Sequence, residues 1–595
     1  MTGTMLALEL CSMGVPVLLL TRDPLGLPTG SGDMDGIAAE LDFDPDHAGS
    51  HFEDSLRSGS ALAPPEAVAA MVRAAPRLVG LLDQLGVCFA RDSAGNFSRK
   101  AALGNACSRI FYAGLSTRQQ VHAALSQQAL RLQDTDLVDE HGHTIPGEQL
   151  LQVLDRWSFC RAVLDDHGVV VGAVARDMRT LRTRAWAADA VCLATGGFEG
   201  LFSSPTTSGS RRGGALGSVF RQGAILANLD LVQLAPLAIA GQHGARPLSA
   251  NLLATGGQLW LPSESGDTRS PSAIPDKERS VVPTPRGDAN NVARGILELL
   301  REGRGVPGVD ATLGLLLDAR RVEHRATTLP QELSAELGAI HVTPAIAGTL
   351  GGLWVDHDVR GDALELDSPR NHATSLSGLY AAGGAACAYA GSGLAEGNRL
   401  LSSLFGASLS ARAIKTYVAA LSRSALDLPG SIFEKAEAAE QSNLDTLLSP
   451  AEGEPEEAYG LLDRLRRHLP LVACVKPEAA DLEALTEGAS EIRSLIDRVR
   501  VSDKVTAMSS EALCAAELSS SCALVDATLC SIIERKGRSL EVPRWVLCRH
   551  LHGKTEIVNE VNYTCAGEAH RLSDSVASRG NLASSRAGAE STHAS

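Results

Sequence analysis

The sequence contains no C-x-x-C pair. Its twelve cysteines (Cys11, Cys88, Cys107, Cys160, Cys192, Cys387, Cys474, Cys514, Cys522, Cys530, Cys548 and Cys565) stand singly, so neither an iron-sulfur nor a zinc signature is present and no metal site is expected. Scattered thiols with apolar flanks fit a reducing compartment. Runs of Lys and Arg are also missing. With a net charge of -16, no nucleic-acid partner is expected, because phosphate binding needs concentrated cations. No clean apolar run of eighteen residues occurs; the apolar first twenty residues are interrupted by Glu9 and preceded by no basic region. Neither a membrane span nor a signal peptide is therefore expected.

What is present describes a large folded chain. Its 595 residues exceed a typical domain several-fold, and 44% hydrophobic with 21% charged residues is ordinary for a globular enzyme. Residues 4–13 read as an amphipathic helix; Gly14 and Pro16 then turn the chain into Val17–Leu20, an apolar run typical of a buried parallel strand. This is the helix and second strand of a βαβ unit, whose first strand would precede Gly3. Two further apolar runs, Ala190–Ala194 and Gly378–Ala382, end in Thr195-Gly196-Gly197 and Gly383-Gly384. A strand ending in glycine lets backbone approach a ligand at the carboxyl edge of a parallel sheet, and the three ends imply one sheet interrupted by insertions.

The expected domains are 1–224 and 341–424, two parts of an α/β dinucleotide-binding domain; 225–340, a Pro, Gly and Ser rich cap; 425–545, a helical domain; and 546–595, a mobile tail. The helical reading rests on spacing in 480–499 and 510–535, and the tail on a Ser, Ala, Gly and Arg rich end.

HFEDSLRSGSAL (51–62), LLDQLGVCFARDSAGNF (81–97), LATGGFEGLF (193–202), GTLGGLWVD (348–356), GLYAAGGAACAYAGSGLAEGNRLLSSLFGA (378–407) and ERKGR (534–538) follow one another in an order that resembles the succinate dehydrogenase, fumarate reductase and L-aspartate oxidase flavoproteins, over roughly residues 3–540. The resemblance implies a Rossmann-like FAD-binding domain with an inserted cap and a carboxyl-terminal helical domain. It places Gly3 at the third glycine of the dinucleotide fingerprint, where a helix packs closely on a strand, although a lone glycine there is equally an ordinary terminal residue. Thr21, Gly36, Thr195, Gly196, Gly197, Gly383, Gly384, Asn398, Leu400 and Leu401 fall at cofactor-facing positions by the same resemblance. The acid that holds the adenosine ribose in the family is Gly384 here, and the flavin-attaching histidine is missing from 28–39. FAD, if bound, is expected to be noncovalent.

In the family, hydride passes between a dicarboxylate and flavin N5 while an arginine moves a proton. The position of that arginine is Ala289, and its companion survives as Arg294; the two substrate histidines fall on Ala235 and Ala347, and a carboxylate-binding arginine falls on Leu394. Thr349 and Gly351 remain at the substrate, and Arg286 or His341 could reach the vacated positions. Three readings follow: a divergent flavin oxidoreductase that exchanges hydride between a dicarboxylate-like substrate and flavin and passes electrons to an iron-sulfur subunit, an inactive structural paralogue in a respiratory complex, and an L-aspartate oxidase-like enzyme. By resemblance the partners are an iron-sulfur subunit and a membrane anchor. The expected location is the cytoplasm or the mitochondrial matrix, peripheral to the inner membrane.

Overall fold

The computed structural model describes residues 1–25, 36–41, 49–60, 62–114, 117–138, 144–206, 211–241, 244–264, 269–284, 287–308, 311–323, 329–449, 458–471, 478–495, 510–537, 545–558, 562–565 and 568–571. The chain opens on helix α1 (Thr2–Ser12), whose Met5, Leu6, Ala7, Leu10 and Cys11 are buried. Gly14, at φ +77°, reverses the chain into strand β1 (Val17–Thr21). Helix α2 (Ser50–Gly59) follows, then β2 (Leu151–Asp155), which pairs with β1 in parallel, Leu19 opposite Val153. An antiparallel sheet of β3 (Trp157–Leu164), β4 (Val170–Asp177) and β5 (Thr183–Ala187) covers one side. Strand β6 (Val191–Leu193), helix α3 (Gly214–Arg221) and β7 (Leu226–Ala227) complete this part.

The cap is built on an antiparallel sheet with its own apolar core. Its longer members are β8 (Val232–Ile239), β9 (Gln258–Pro262), β10 (Arg279–Val282), β11 (Leu313–Asp318) and β12 (Ile340–Thr349), ordered β8-β12-β11-β9-β10. Helix α4 (Ala289–Arg301) lies on it, burying Val292, Ala293, Ile296 and Leu297 along one stripe. Asp288 caps α4 by accepting the Asn291 backbone N–H at 3.0 Å. Asp288 also accepts the Ser58 hydroxyl of α2, and Asn290 donates to the Ser392 carbonyl at 2.9 Å. These bonds hold the cap closed on the first domain.

The chain returns through β13 (Gly352–Trp354), β14 (Leu379–Ala381) and β15 (Ala386–Cys387) to helix α5 (Asn398–Ala419). Helix α6 (Ser510–Gly537) packs on α3, and a hairpin of β16 (Leu547–Leu551) and β17 (Lys554–Val558) closes a sheet ordered β15-β13-β7-β16-β17. Residues 547–558, expected in a mobile tail, thus pair with β7 and with each other.

The expected single sheet is divided. Strand β6 pairs in parallel with β14, Cys192 opposite Tyr380, while among the described residues β1 pairs only with β2. Among the described residues no strand lies between β1 and β6; a cavity of about 770 Å³ does, lined by residues 15–25, 187–195 and the α1 residues Gly3, Leu6 and Leu10. Val17–Leu20, wholly apolar, line this cavity and are therefore only half-buried.

By length and composition Ala512–Arg535 of α6 could cross a membrane, but two thirds of its most apolar window is buried inside the protein. Its Glu517 pairs with Arg22 at 2.8 Å and Arg212 at 3.0 Å. This is a core helix that ties α6 to the first domain.

Candidate flavin and substrate site

The carboxyl ends of β1, β6 and β14 and the start of α1 converge at one edge. Gly196 (φ +81°) and Gly383 (φ +63°) adopt left-handed backbone, which glycine accepts without strain. A Cβ on Gly384 would lie 3.1 Å from the Gly197 nitrogen, so the two glycine turns touch. A Cβ on Gly383 would meet Thr2 of α1 at 2.7 Å. Gly3 sits over the gap, but a Cβ there would make only ordinary contacts, 3.4 Å to Ala194 and 3.5 Å to Leu19. Close packing does not demand glycine at that position.

Two arginines stand at this edge. Arg211 lines the cavity and donates to buried Glu199 at 2.8 Å. Arg118 is buried nearby. Burial, then the charges of Arg118 and Arg211, push the Met1 amino group down to about 5. The first turn of α1 carries no acidic residue, so no carboxylate of its own opposes its free N–H groups. Thr21 Oγ1, at the end of β1, is buried without a hydrogen-bond partner, and Thr195 lines the same cavity. A diphosphate fits the α1 start with Arg118 and Arg211, and a ribose hydroxyl fits Thr21. Gly384 supplies no carboxylate to the ribose.

Helix α5 begins at Asn398 behind Gly397, whose φ is +84° and whose Cβ would strike Ala38 and Ile110. The Asn398 amide is held by α2 at both its atoms: its nitrogen donates to Ser55 Oγ at 2.7 Å, and its Oδ1 lies 2.7 Å from His51 Nε2. Because that oxygen can only accept, His51 carries its proton on Nε2. Burial holds the imidazole neutral, pushing it down to about 4. Leu400 and Leu401 are fully buried and pin α5 to the core.

A second, narrow cavity of about 30 Å³ separates the α5 start from the cap. Ala235, Ala289 and Leu394, three positions of lost polar groups, line it together with Gly36, Leu400, Glu396 and Arg399. The structure therefore brings the vacated positions together. Ala347, the fourth, is buried and does not line the cavity. Thr349 turns elsewhere, accepting the Phe198 N–H at 3.4 Å; a Cβ on Gly351 would fall on the Asn228 carbonyl.

The candidate proton-transfer residues are not assembled. Arg294 lies on α4 outside the cavity lining. His341, on β12, is hydrogen-bonded at 2.9 Å to the Val306 carbonyl and packs on Gly308 and Gly314 inside the cap. Sheet register decides this: His341 stands opposite Leu316 of β11, away from the α5 start. Arg286 lies outside the described residues. Sequence reasoning missed Arg399, although it occupies the variable position of the Gly-Asn-x-Leu-Leu turn, and His51, although it heads the segment 51–62; it missed Arg118 and Arg211, which carry no local pattern.

The protein is a flavoprotein built on an FAD-binding domain: the family model of that description matches residues 1–400. More narrowly, it belongs to the succinate dehydrogenase, fumarate reductase and L-aspartate oxidase family of FAD-binding oxidoreductases. It is 28% identical over 454 residues to the succinate dehydrogenase flavoprotein subunit of Bacillus subtilis, covering 73% of this chain and 71% of that one. It is 28% identical over 479 residues to L-aspartate oxidase of Agrobacterium fabrum, covering 79% and 83%. The E. coli quinol fumarate reductase FrdA structure superposes with a TM-score of 0.75 at 18% identity, covering 94% of each chain, which shows the shared fold.

Proposed function

We propose that this chain is an oxidoreductase subunit that binds FAD noncovalently and whose substrate is not a small dicarboxylate. One observation carries the reading: a cofactor frame of glycine turns, α1 start, Arg118 and Arg211 stands beside a cavity walled by Ala235, Ala289 and Leu394. When bound, FAD supplies a two-electron hydride acceptor. Arg118 and Arg211 would offset its diphosphate charge, Thr21 would bond its ribose, and the buried Asn398 with His51 and Ser55 fixes the helix start on its far side. The Asp288 and Asn290 bonds join the cap to Ser58 and Ser392 beside the cavity. Noncovalent binding is supported by the absence of histidine from 28–39.

Each lost donor to a substrate carboxylate costs about 3 kcal/mol of transition-state binding, so two uncompensated losses slow succinate oxidation roughly 10⁴-fold. Anaerobic mixing of the FAD-loaded protein with succinate should leave the flavin oxidised, and fumarate should not reoxidise the dithionite-reduced form. Rapid bleaching by succinate would refute the reading. L-Aspartate, with two carboxylates, is disfavoured by the same wall. Electron delivery to a separate iron-sulfur subunit is part of the proposal, supported by likeness to the quinol fumarate reductase flavoprotein across 94% of the chain. A second reading, a structural paralogue without activity, is favoured by the packing of Leu394 into an apolar cluster with Leu62, Leu231, Leu350 and Trp545.

A further inference from the structure

The body of the large cavity, away from the edge assigned to the cofactor, plays no part in that assignment. It runs the length of two strands: Val17–Thr21 of β1 form one wall and Val191–Leu193 of β6 another. Among the described residues each strand has a single partner, β2 for β1 and β14 for β6. The β6 wall offers backbone to the space. Val191 donates to the Gly378 carbonyl at 2.9 Å and the Leu193 carbonyl accepts from Ala382 at 3.0 Å, both toward β14, so strand alternation turns the N–H and C=O of Cys192 toward the cavity. Charge adds little to what a ligand would meet there: Arg22 and Arg212 pair with Glu517, Arg176 with Glu440 and Arg211 with Glu199, while Asp23 and Glu148 are exposed. Apolar side chains line much of the rest, among them Leu6 and Leu10 of α1, Phe159, Trp186, Ile414 and Leu513.

We infer that this cavity binds an extended apolar peptide segment of a partner chain, which adds itself as a strand between β1 and β6 and joins the two pieces of sheet into one. An occupant with strands on both sides needs donors and acceptors along both of its edges, and an extended peptide supplies them. A lipid chain or an aromatic ligand would leave the Cys192 peptide group unanswered. The five residues of β1 set the segment at about 16 Å, a rise of about 3.3 Å for each residue. Its side chains, alternating between two faces, meet the apolar lining, which suits β-branched residues; proline at its centre would remove a donor that the new ladder needs. Gly3 closes the carboxyl end of the space, where a Cβ would touch Ala194 at 3.4 Å and Leu19 at 3.5 Å. The segment therefore stops short of the cofactor edge and leaves Thr21 and Arg211 to it. The assignment does not rest on the flavin reading.

The test is hydrogen–deuterium exchange of the full chain, read by mass spectrometry, with and without an acetylated and amidated peptide of five valines and isoleucines flanked by single lysines. The same peptide with proline at its centre is the control. The expected result is that residues 17–21 and 191–194 exchange readily in the free protein and about tenfold or more slowly with the peptide, while the proline peptide changes nothing. Cys192→Pro, which removes the cavity-facing N–H and keeps both bonds to β14, should weaken peptide binding about tenfold, as followed by the emission of Trp157 and Trp186, which line the cavity. Thermal melts separate lost binding from lost folding; should Cys192→Pro fail to fold, the proline peptide still decides. Slow exchange of these amides in the free protein would mean that the space is already filled. Equal protection by the proline peptide would mean apolar adhesion without a ladder, and displacement by FAD would put the peptide on the cofactor edge. Each of these outcomes, or no protection at all, overturns the inference. FAD uptake without peptide protection sinks it and spares the flavoprotein reading; protection without FAD uptake does the reverse.

Discussion

Arg535 joins α6 to the turn that supports the substrate wall, and its removal has a calculable effect. Its guanidinium bonds both oxygens of Asp230 and donates to Asn228 Oδ1 at 2.7 Å. The Asp230 side chain is 1% exposed and that of Arg535 11%, so solvent screening is weak. The same turn carries Leu231, whose carbonyl accepts the Leu350 N–H at 2.9 Å and whose side chain packs with Leu394. Arg535→Met removes the cation but keeps most of the apolar stem. Asn228 Oδ1 retains the Val546 N–H at 3.0 Å, so the penalty falls mainly on Asp230, left buried and unpaired. Breaking a buried pair in this way costs about 3–5 kcal/mol. For a cooperative unit of a few hundred residues that lowers the melting temperature by roughly 10 °C. The assay is thermal and urea unfolding followed by far-UV circular dichroism, with Arg535→Met/Asp230→Asn as the control that removes the stranded charge. The double variant should regain more than half of the loss. A loss under about 1 kcal/mol in the single variant would mean the pair behaves as a surface ion pair, and the reasoning would fail.

Other consequences can be checked separately. Gly3→Ala should change stability by less than about 0.5 kcal/mol, since its Cβ would find ordinary contacts, whereas Gly36→Ala places a Cβ 2.5 Å from the Phe111 carbonyl and should lower the urea midpoint clearly; equal effects would contradict the local geometry. Burial, the largest cause in both, pushes His51 and His372 down to about 4, against the Asn398 hydrogen bond and the Glu40 and Asp54 charges for His51 and the Ala381 carbonyl for His372. A folded value below the unfolded 6.5 means their stabilising neutrality is complete above pH 6.5 and lost as pH falls toward 4, on the order of 2 kcal/mol each by pH 5. A urea midpoint unchanged between pH 7 and pH 5 would refute this. Arg118→Leu should weaken FAD uptake roughly tenfold at low salt, less at high salt, as read by flavin fluorescence quenching; unaltered uptake would remove Arg118 from the diphosphate site.

The cofactor frame was legible because its signals are local. Val17–Leu20, Ala190–Ala194 and Gly378–Ala382 are apolar runs, two of them closed by glycines with positive φ, and each forms the expected strand. Their union into one sheet was not legible, since pairing between β1 and β6 depends on what lies between them. The hairpin 547–558 was missed because its partner, Leu226–Ala227, is 320 residues away and only two residues long. Arg294 and His341 looked available on sequence order alone; strand register turns His341 into the cap, and Arg294, off the helix stripe that buries Val292 and Ile296, does not line the cavity. Arg399 and Glu396 were hidden for the opposite reason. Nothing local marks a charged pair as cavity-lining until the cap closes over it.

The central claim is that the chain carries a noncovalent flavin beside a substrate pocket stripped of its dicarboxylate clamp. The absorbance spectrum of the purified protein, recorded with added FAD and again on the supernatant after acid precipitation, tests it most directly. The account predicts a near-stoichiometric flavin spectrum that passes entirely to the supernatant. A folded, colourless protein that takes up no FAD would contradict it and leave the structural paralogue; flavin retained in the precipitate would contradict the noncovalent assignment.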